Sequence, residues 1–388
     1  MSNLKEIDQK YVANTYARFP VELVRGHGSE LWDEAGKRYI DLGTGIAVNS
    51  FGVSDDVWRA AVIAQLGQLP HTSNLYYTEP CAQLAKMLCE RTGMRKVFFG
   101  NSGAEANECA IKVARKYAAQ KKGAEFSTIV TLENSFHGRT LTTLAATGQE
   151  HYHELFQPLT PGFAHAPAND LEALKKVALE KKAAGILIEC VQGEGGVVSL
   201  DGDFVRGIAE FCAEQDILFM VDEVQTGNGR SGQLYAYMTF GVQPDVVSTA
   251  KGLAGGLPLG ACLIGAKAEN VLGSGDHGST FGGNPVCCAG AISILGRLTE
   301  EFLAGVRERS AYLFGKLRGA KGVESVSGLG LMIGVKTVKP AGDVVKAGME
   351  QGILCLTAKD RVRLLPALNI PQNLLEEATE ILLRILAD

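Results

Sequence analysis

Two charged residues sit where apolar runs end. Ile217-Leu-Phe-Met-Val221 is near-continuously apolar, as expected of a strand buried on both faces, and it delivers Asp222 and Glu223 at its carboxyl end. In open α/β sheets, ligands bind beyond the carboxyl ends of the strands. A carboxylate there can bind a metal, orient a histidine or pair with a cationic ligand atom. Lys251 ends a second apolar run, Val246-Val-Ser-Thr-Ala250, and enters the glycine-rich loop Gly252–Gly260. A lysine so placed is partly desolvated, which lowers its pKa and frees a neutral amine as a nucleophile.

Two further segments add to these. Asn101-Ser102-Gly103-Ala104-Glu105-Ala106-Asn107 joins a strand to a helix. Small residues at a helix N-terminus expose N–H groups, and the dipole there favours a phosphate; plain N-capping by Ser102 is the simpler role. Ser135-Phe136-His137-Gly138-Arg139-Thr140 comes after another strand and sets a ring and a guanidinium at its end. A ring can stack on a flat cofactor, and an arginine can clamp a carboxylate bidentately.

Other chemistries lack their residues. The chain has no G-x-x-x-x-G-K-[ST], no H-E-x-x-H and no G-x-S-x-G, and its seven histidines show no metal-ligand spacing. Gly227-Asn-Gly229-Arg-Ser-Gly232 fits G-x-G-x-x-G, but the next residues, Gln233-Leu-Tyr-Ala-Tyr-Met238, are a weak helix start. Asp222 and Glu223 would also place two negative charges beside a pyrophosphate. A glycine-rich turn is the expectation there.

The elements that must position these residues alternate. Strands are expected at Lys96–Phe99, Thr128–Leu132, Gly185–Val191, Ile217–Val221, Asp245–Ser248 and Ala261–Gly265, with helices at Ala104–Ala119 and Phe204–Gln215. Alternation of this kind gives a mostly parallel sheet with helices on both faces, an α/β fold. Residues 21–42 read as a hairpin, and a long helical pattern runs from Asn284 to about Arg318. Short strands at Val323–Val326, Met332–Val335 and Val362–Leu365, a helix from Asp343 and a final helix Asn373–Leu386 complete the chain. This suggests a large domain over 50–285 and a small α/β domain built from both chain ends, 1–49 plus 286–388.

Composition narrows the class. With 46% hydrophobic and 21% charged residues over 388 positions, the chain is neither disordered nor fibrous. Forty-six glycines exceed the usual share of about 7%, as many tight turns or close backbone–ligand approaches would require. The net charge of −5 argues against nucleic acid as a partner. The uncharged stretch Gly252–Ala266 is too short and too interrupted to span a membrane, and no signal-peptide pattern is visible. Nine cysteines without a C-x-x-C pair suggest a reduced, cytoplasmic protein with buried thiols.

A phosphate cradle, an aromatic plate, a strand-end aspartate and a lysine are together what pyridoxal 5′-phosphate needs. The chain resembles the class III, ornithine-type aminotransferases of the fold type I pyridoxal-phosphate enzymes. The resemblance runs from Gly36-Lys-Arg-Tyr-Ile-Asp41 to Arg363-Leu-Leu-Pro366. It rests on 101–107, 136–140, Glu189–Gly196, Asp222-Glu-Val-Gln225, Ala250-Lys251-Gly252 and Gly278-Ser-Thr280-Phe-Gly-Gly-Asn-Pro285.

The resemblance implies that Lys251 is the catalytic lysine that holds the cofactor covalently and shuttles the proton, with Asp222 on the pyridine nitrogen. It implies that Val224 and Phe136 sandwich the ring and that Gln225 lies near the ring hydroxyl. Ser102, Gly103 and Ala104 would serve the phosphate. Thr280 would reach the phosphate of a neighbouring subunit's cofactor, so the active unit would be a homodimer. Arg139 and Ser279 resemble substrate contacts, and Glu194 with Arg363 resembles a gate pair. Two departures, Cys190 where relatives carry proline and Asn228 in the Gly-x-Gly-Arg turn, carry no chemistry. Ornithine aminotransferases have a tyrosine in the loop that here reads Asp41-Leu-Gly-Thr-Gly-Ile-Ala-Val-Asn49. Its absence favours an α-acylated donor. The expected reaction moves the δ-amine of N2-acetylornithine to 2-oxoglutarate, a step of arginine biosynthesis. Succinylornithine, ornithine, 4-aminobutyrate and N-succinyl-diaminopimelate are the alternative donors, and a glutamate-semialdehyde aminomutase is the alternative activity.

Overall fold

The computed structural model describes residues 3–388. Its centre is a seven-stranded sheet in the order Lys96–Gly100, Gly260–Ile264, Val246–Thr249, Leu218–Asp222, Ala183–Ile188, Thr128–Leu132, Phe163–Ala166. All neighbours are parallel except Gly260–Ile264, which runs antiparallel to both of its partners. Every residue of Ala183–Ile188 and of Leu218–Asp222 is buried, because helices cover both faces. One of these helices, Gly103–Lys121, turns Ala106, Cys109, Ala110, Val113, Ala114 and Tyr117 inward at helical spacing. Ser102 caps it by accepting the Glu105 N–H. Each fully buried side chain of valine or leucine size contributes about 1.5–3 kcal/mol.

Both chain ends build the two four-stranded sheets, and a two-stranded ribbon, Val191–Gln192 with Val198–Ser199, lies in the middle of the chain. Leu23–His27, Glu30–Asp33 and Arg38–Asp41 form three antiparallel strands in place of a simple hairpin, and Ile353–Leu354 joins Arg38–Asp41 in parallel. A four-stranded antiparallel sheet holds Val323–Leu329, Met332–Thr337, Arg361–Leu364 and Leu356–Ala358.

The long helical pattern from Asn284 is two helices, Pro285–Leu295 and Glu300–Leu317. Thr299 caps the second by accepting the Phe302 N–H, and a capping side chain competes with helix continuation at that position. The G-x-G-x-x-G segment opens no helix; the next regular element is the short 3₁₀ turn Ala236–Phe240. Its Arg230 is buried and donates to the carbonyls of Leu331 and Pro366, joining this loop to the C-terminal region.

Thr44, Gly45, Ile46 and Ala47 all have positive φ, between 47° and 65°. This left-handed turn costs about 1–2 kcal/mol for each non-glycine residue. It is held by Asp41, which accepts the Gly43 and Thr44 N–H groups at 2.8 Å, and by Thr44 Oγ1, which donates to Leu365 O at 2.6 Å.

Candidate active site

Five segments leave the same edge of the central sheet. They begin after Gly100, Leu132, Ile188, Val221 and Thr249, and they surround one cavity of about 610 Å³. Ser102, Gly103 and Ala104 border it on one side, Phe136 and Arg139 on another. Asp222, Val224, Gln225 and Lys251 complete the set. Strand ends in the sequence mark most of this cluster, and the resemblance adds Val224 and Gln225.

Asp222 is buried and takes three donors. Its Oδ2 accepts from Asn107 Nδ2 at 2.7 Å and from His137 Nδ1 at 2.8 Å, and its Oδ1 accepts the Val224 N–H at 2.9 Å. Three donors suit an ionised carboxylate, and they place the His137 proton on Nδ1. Ser248 Oγ donates to Asn107 Oδ1 at 2.5 Å and fixes the amide's orientation.

Lys251 has a left-handed backbone, φ 47°, at the point where strand passes into loop. Such strain persists only where surrounding contacts impose it; here Ser50 Oγ donates to the Gly252 carbonyl at 3.0 Å. Burial lowers the pKa of the Lys251 ammonium below the ordinary lysine range, with Glu194 opposing and Arg363 reinforcing the shift. The neutral amine is correspondingly easier to reach.

The two arginines differ. Arg139 lies over the Tyr152 ring at 4.4 Å and the Phe136 ring at 5.5 Å, and no acceptor among the described residues takes a hydrogen bond from it. Arg363 comes from the separate antiparallel sheet and donates from Nη1 to Glu194 Oε1 at 2.5 Å and to Gln225 Oε1 at 3.2 Å. Burial pushes the Glu194 carboxyl up, but the Arg363 guanidinium, with Lys251 and the Gln225 amide, more than offsets this and holds it below the usual range. The Gln225 amide, expected near a ring hydroxyl, is turned onto this ion pair while still bordering the cavity.

Ser279 stands just outside, where its Oγ accepts from Asn101 Nδ2 at 3.0 Å, and Thr280 is exposed and does not border the cavity. Bordering residues to which the sequence assigns no role include Asn107, Glu189 and Tyr16. Asn107 is five residues past the helix cap, on the helix's inward face. Glu189 comes directly after a buried strand, as Asp222 ends one, and the rule that finds one finds the other once the strand is ended at Ile188. Tyr16 reaches the cavity from an irregular N-terminal segment that carries no pattern at all.

A family model described as aminotransferase class-III matches residues 11–386. The chain belongs to the class-III aminotransferases. It is 51% identical over 387 residues to the acetylornithine aminotransferase of Haemophilus ducreyi, covering 99% of this chain and 98% of that one. To the acetylornithine aminotransferase of Methanocaldococcus jannaschii it is 43% identical over 378 residues, 96% and 94% of the two chains. Among solved structures, the ornithine aminotransferase of Toxoplasma gondii ME49 superposes with a TM-score of 0.95 at 31% identity, covering 99% of this chain and 94% of that one. The acetylornithine aminotransferase of Elizabethkingia anophelis gives 0.88 at 30% identity, with 99% and 98% covered.

Class-III aminotransferases are fold type I transaminases that use pyridoxal phosphate, and the residues of this one fit that cofactor. The Gly103 and Ala104 N–H groups have no acceptor within the helix, so they are free to serve a phosphate. A Cβ on Gly103 would stand 2.6 Å from Val224 Cγ1, so only glycine lets the helix end come this close to Val224. Ionised Asp222 matches a protonated ring nitrogen, and the Phe136 face matches a flat heterocycle.

Proposed function

We propose that this class-III aminotransferase moves the δ-amine of N2-acetylornithine to 2-oxoglutarate, giving N-acetylglutamate 5-semialdehyde and glutamate, a step of arginine biosynthesis. The observation that carries the reading is the asymmetry of the two arginines: Arg139 is free of any carboxylate, whereas Arg363 already holds Glu194. Both substrates carry a carboxylate remote from the reacting carbon, and Arg139 serves that one. Only 2-oxoglutarate has a second carboxylate, beside its keto carbon, and Arg363 serves it once Glu194 moves away. For the acylated donor, the Glu194–Arg363 pair stays closed, so no unpaired cation is left in the site. The similarity to acetylornithine aminotransferases and the lack of a tyrosine in the Asp41–Asn49 loop support an acylated donor over free ornithine.

Pyridoxal phosphate, when bound, supplies the electron sink and carries the amino group between the two substrates. The rest is the work of this chain. Lys251 Nζ holds the cofactor and moves the proton at the amine-bearing carbon. Asp222, fixed by Asn107, His137 and the Val224 N–H, keeps the ring nitrogen protonated. Phe136 and Val224 exclude water from the two ring faces, and Gly103 with Ala104 anchors the phosphate.

We read the active unit as a homodimer in the cytoplasm. Asn74 Nδ2 donates to the Ser279 and Gly282 carbonyls, which places the exposed Leu75, Tyr76 and Tyr77 beside the loop that carries Ser279 and Thr280. Phe281 of that loop is also exposed. Contiguous apolar side chains of this kind suit burial against a second copy, whose cofactor phosphate Thr280 would reach. The nine thiols are all free, as a reducing compartment keeps them. We likewise take 50–285 and 1–49 plus 286–388 as the two domains.

A donor panel tests the reading. N2-acetylornithine, succinylornithine, ornithine, 4-aminobutyrate and N-succinyl-diaminopimelate are each offered with 2-oxoglutarate, and glutamate release is measured. The highest kcat/KM is expected with N2-acetylornithine. A higher value with free ornithine would overturn the assignment of the donor.

A further inference from the structure

We propose that Glu189 is a positioning residue of this active site, tying the backbone that carries the Phe136 ring to the turn that carries Glu194. The proposal rests on the reading of Glu194 and Arg363 as a switch. Ile188 is in register with Val221, so Glu189 and Asp222 stand side by side at neighbouring strand ends. Side-chain donors engage Asp222, but none among the described residues engages Glu189. Its Oε2 accepts the Phe136 N–H at 2.9 Å, and its Oε1 accepts the Gly193 N–H at 3.3 Å. The residue is 6% exposed and borders the cavity.

Burying a carboxyl without a cation hydrogen-bonded to it is unfavourable. Here burial pushes Glu189 up to about 7, with His137 pulling it down and Asp222 adding to the rise. Lys251 and the adjoining Cys190 are the other titratable groups that interact with it. An apolar side chain could occupy this volume without that cost. What only the ionised carboxylate, the form that prevails above about pH 7, provides is two oxygens that both accept. A glutamine would meet one N–H with its oxygen and present its own N–H to the other.

The two N–H groups come from segments with separate tasks. Phe136 supplies the face against which a flat cofactor rests. Gly193 starts the Gly193-Glu194-Gly195-Gly196 turn, in which Gly196 has φ 107°. With Gly193 pinned by Glu189, the freedom of the turn lies on the side of Gly195 and Gly196. Glu194 can then leave Arg363 without dragging the strand end, and it returns to the same place. One carboxylate thus sets the rest position of the switch and the seat of the ring together.

The test compares holoenzyme carrying Glu189→Gln, Glu189→Asp or Glu194→Ala with the parent. In Glu189→Gln the N2-acetylornithine half-reaction is expected to lose about tenfold in rate over KM, the loss of one hydrogen bond to a charged group, and the 2-oxoglutarate half-reaction to lose less, as in Glu194→Ala. The visible circular dichroism of the bound cofactor is expected to change, and the affinity of the apoenzyme for pyridoxal phosphate to fall. Glu189→Asp, which keeps two accepting oxygens, should recover part of each. An unchanged N2-acetylornithine half-reaction and unchanged dichroism in Glu189→Gln would overturn the proposal. So would equal losses in both half-reactions together with a lowered unfolding midpoint, the signature of packing alone. If Glu194→Ala affects both half-reactions alike, the switch reading falls by itself, and unchanged dichroism in Glu189→Gln would still overturn the tie. Amide hydrogen exchange in the unmodified protein needs no variant to fold: the Phe136 and Gly193 amides should both be protected, and fast exchange at either overturns the tie.

Discussion

Arg363 and Glu194 meet 169 positions apart in sequence, Nη1 to Oε1 at 2.5 Å, with the arginine side chain 4% exposed and the glutamate 26% exposed. The more accessible partner is the one in a glycine-flanked turn. The pair is therefore built to open from the glutamate side. Removing one member of a buried pair costs about 3–5 kcal/mol because the other charge is left behind.

That asymmetry predicts opposite effects in the two half-reactions. Glu194→Ala should impair the N2-acetylornithine half-reaction more than the 2-oxoglutarate half-reaction, because an unpaired Arg363 then faces an uncharged part of the donor. Arg363→Ala should impair mainly the 2-oxoglutarate half-reaction. Rapid-mixing measurement of each half separately decides; equal losses in both halves for both variants would leave the two residues as structural.

Asp222→Asn should leave the fold intact and remove most activity. An amide there keeps one accepting oxygen but turns its NH2 toward either the Asn107 and His137 donors or the Val224 N–H, and it cannot hold a proton on the ring nitrogen by charge. Loss of one charge-assisted contact, about 1.5–3 kcal/mol, gives roughly a 10- to 100-fold lower rate. Turnover and cofactor absorbance at parent values would show that Asp222 is misassigned.

Lys251→Ala should abolish turnover while retaining some cofactor through the phosphate site. In the apoenzyme, the lowered Lys251 pKa means that pyridoxal phosphate should combine with this amine at a lower pH than with an exposed lysine. The rate of reconstitution against pH, read from visible absorbance, checks this. A profile rising only near the ordinary lysine pKa would contradict it.

Ile46→Gly should stabilise the protein or leave it unchanged, although it deletes a whole side chain. Ile46 is 40% exposed and sits at φ 65°, so little packing is lost and left-handed strain of about 1–2 kcal/mol is relieved, against about 0.5–1 kcal/mol of added chain entropy. A urea midpoint lowered by more than the experimental scatter would mean that Ile46 packs in a way its exposure does not reveal.

The legible part of this site is what a one-dimensional pattern can carry. An apolar run ended by a charge marks Asp222 and Lys251, and a small-residue junction between strand and helix marks Ser102, Gly103 and Ala104. Glu194 and Arg363 become a pair only through family resemblance, since nothing local links a turn to a strand of another sheet. The helices Asp56–Gln68 and Glu79–Thr92 are not legible in the same way. The first has no fully buried side chain: Trp58, Ala61, Val62 and Gln65 are half-buried on one face while the apolar Val57, Ile63 and Leu66 are exposed, so apolar residues on both faces blur its period. The break at Thr299 is a capping choice that competes with a continuous apolar period, and the period alone cannot show which wins.

The strand Arg38–Asp41 has Ile353–Leu354 as its outer neighbour, and its Ile40 N–H donates to the Gly352 carbonyl. Some three hundred residues of chain separate the two strands. At a synthesis rate of about 5–20 residues per second, the early strand emerges and waits roughly 15–60 seconds for the segment that completes its sheet. During that interval its edge is open to any other extended chain nearby, while the central sheet, whose last strand ends at Ile264, has all its strands in hand. Deletion of only the residues around 353 should therefore expose the beginning of the molecule.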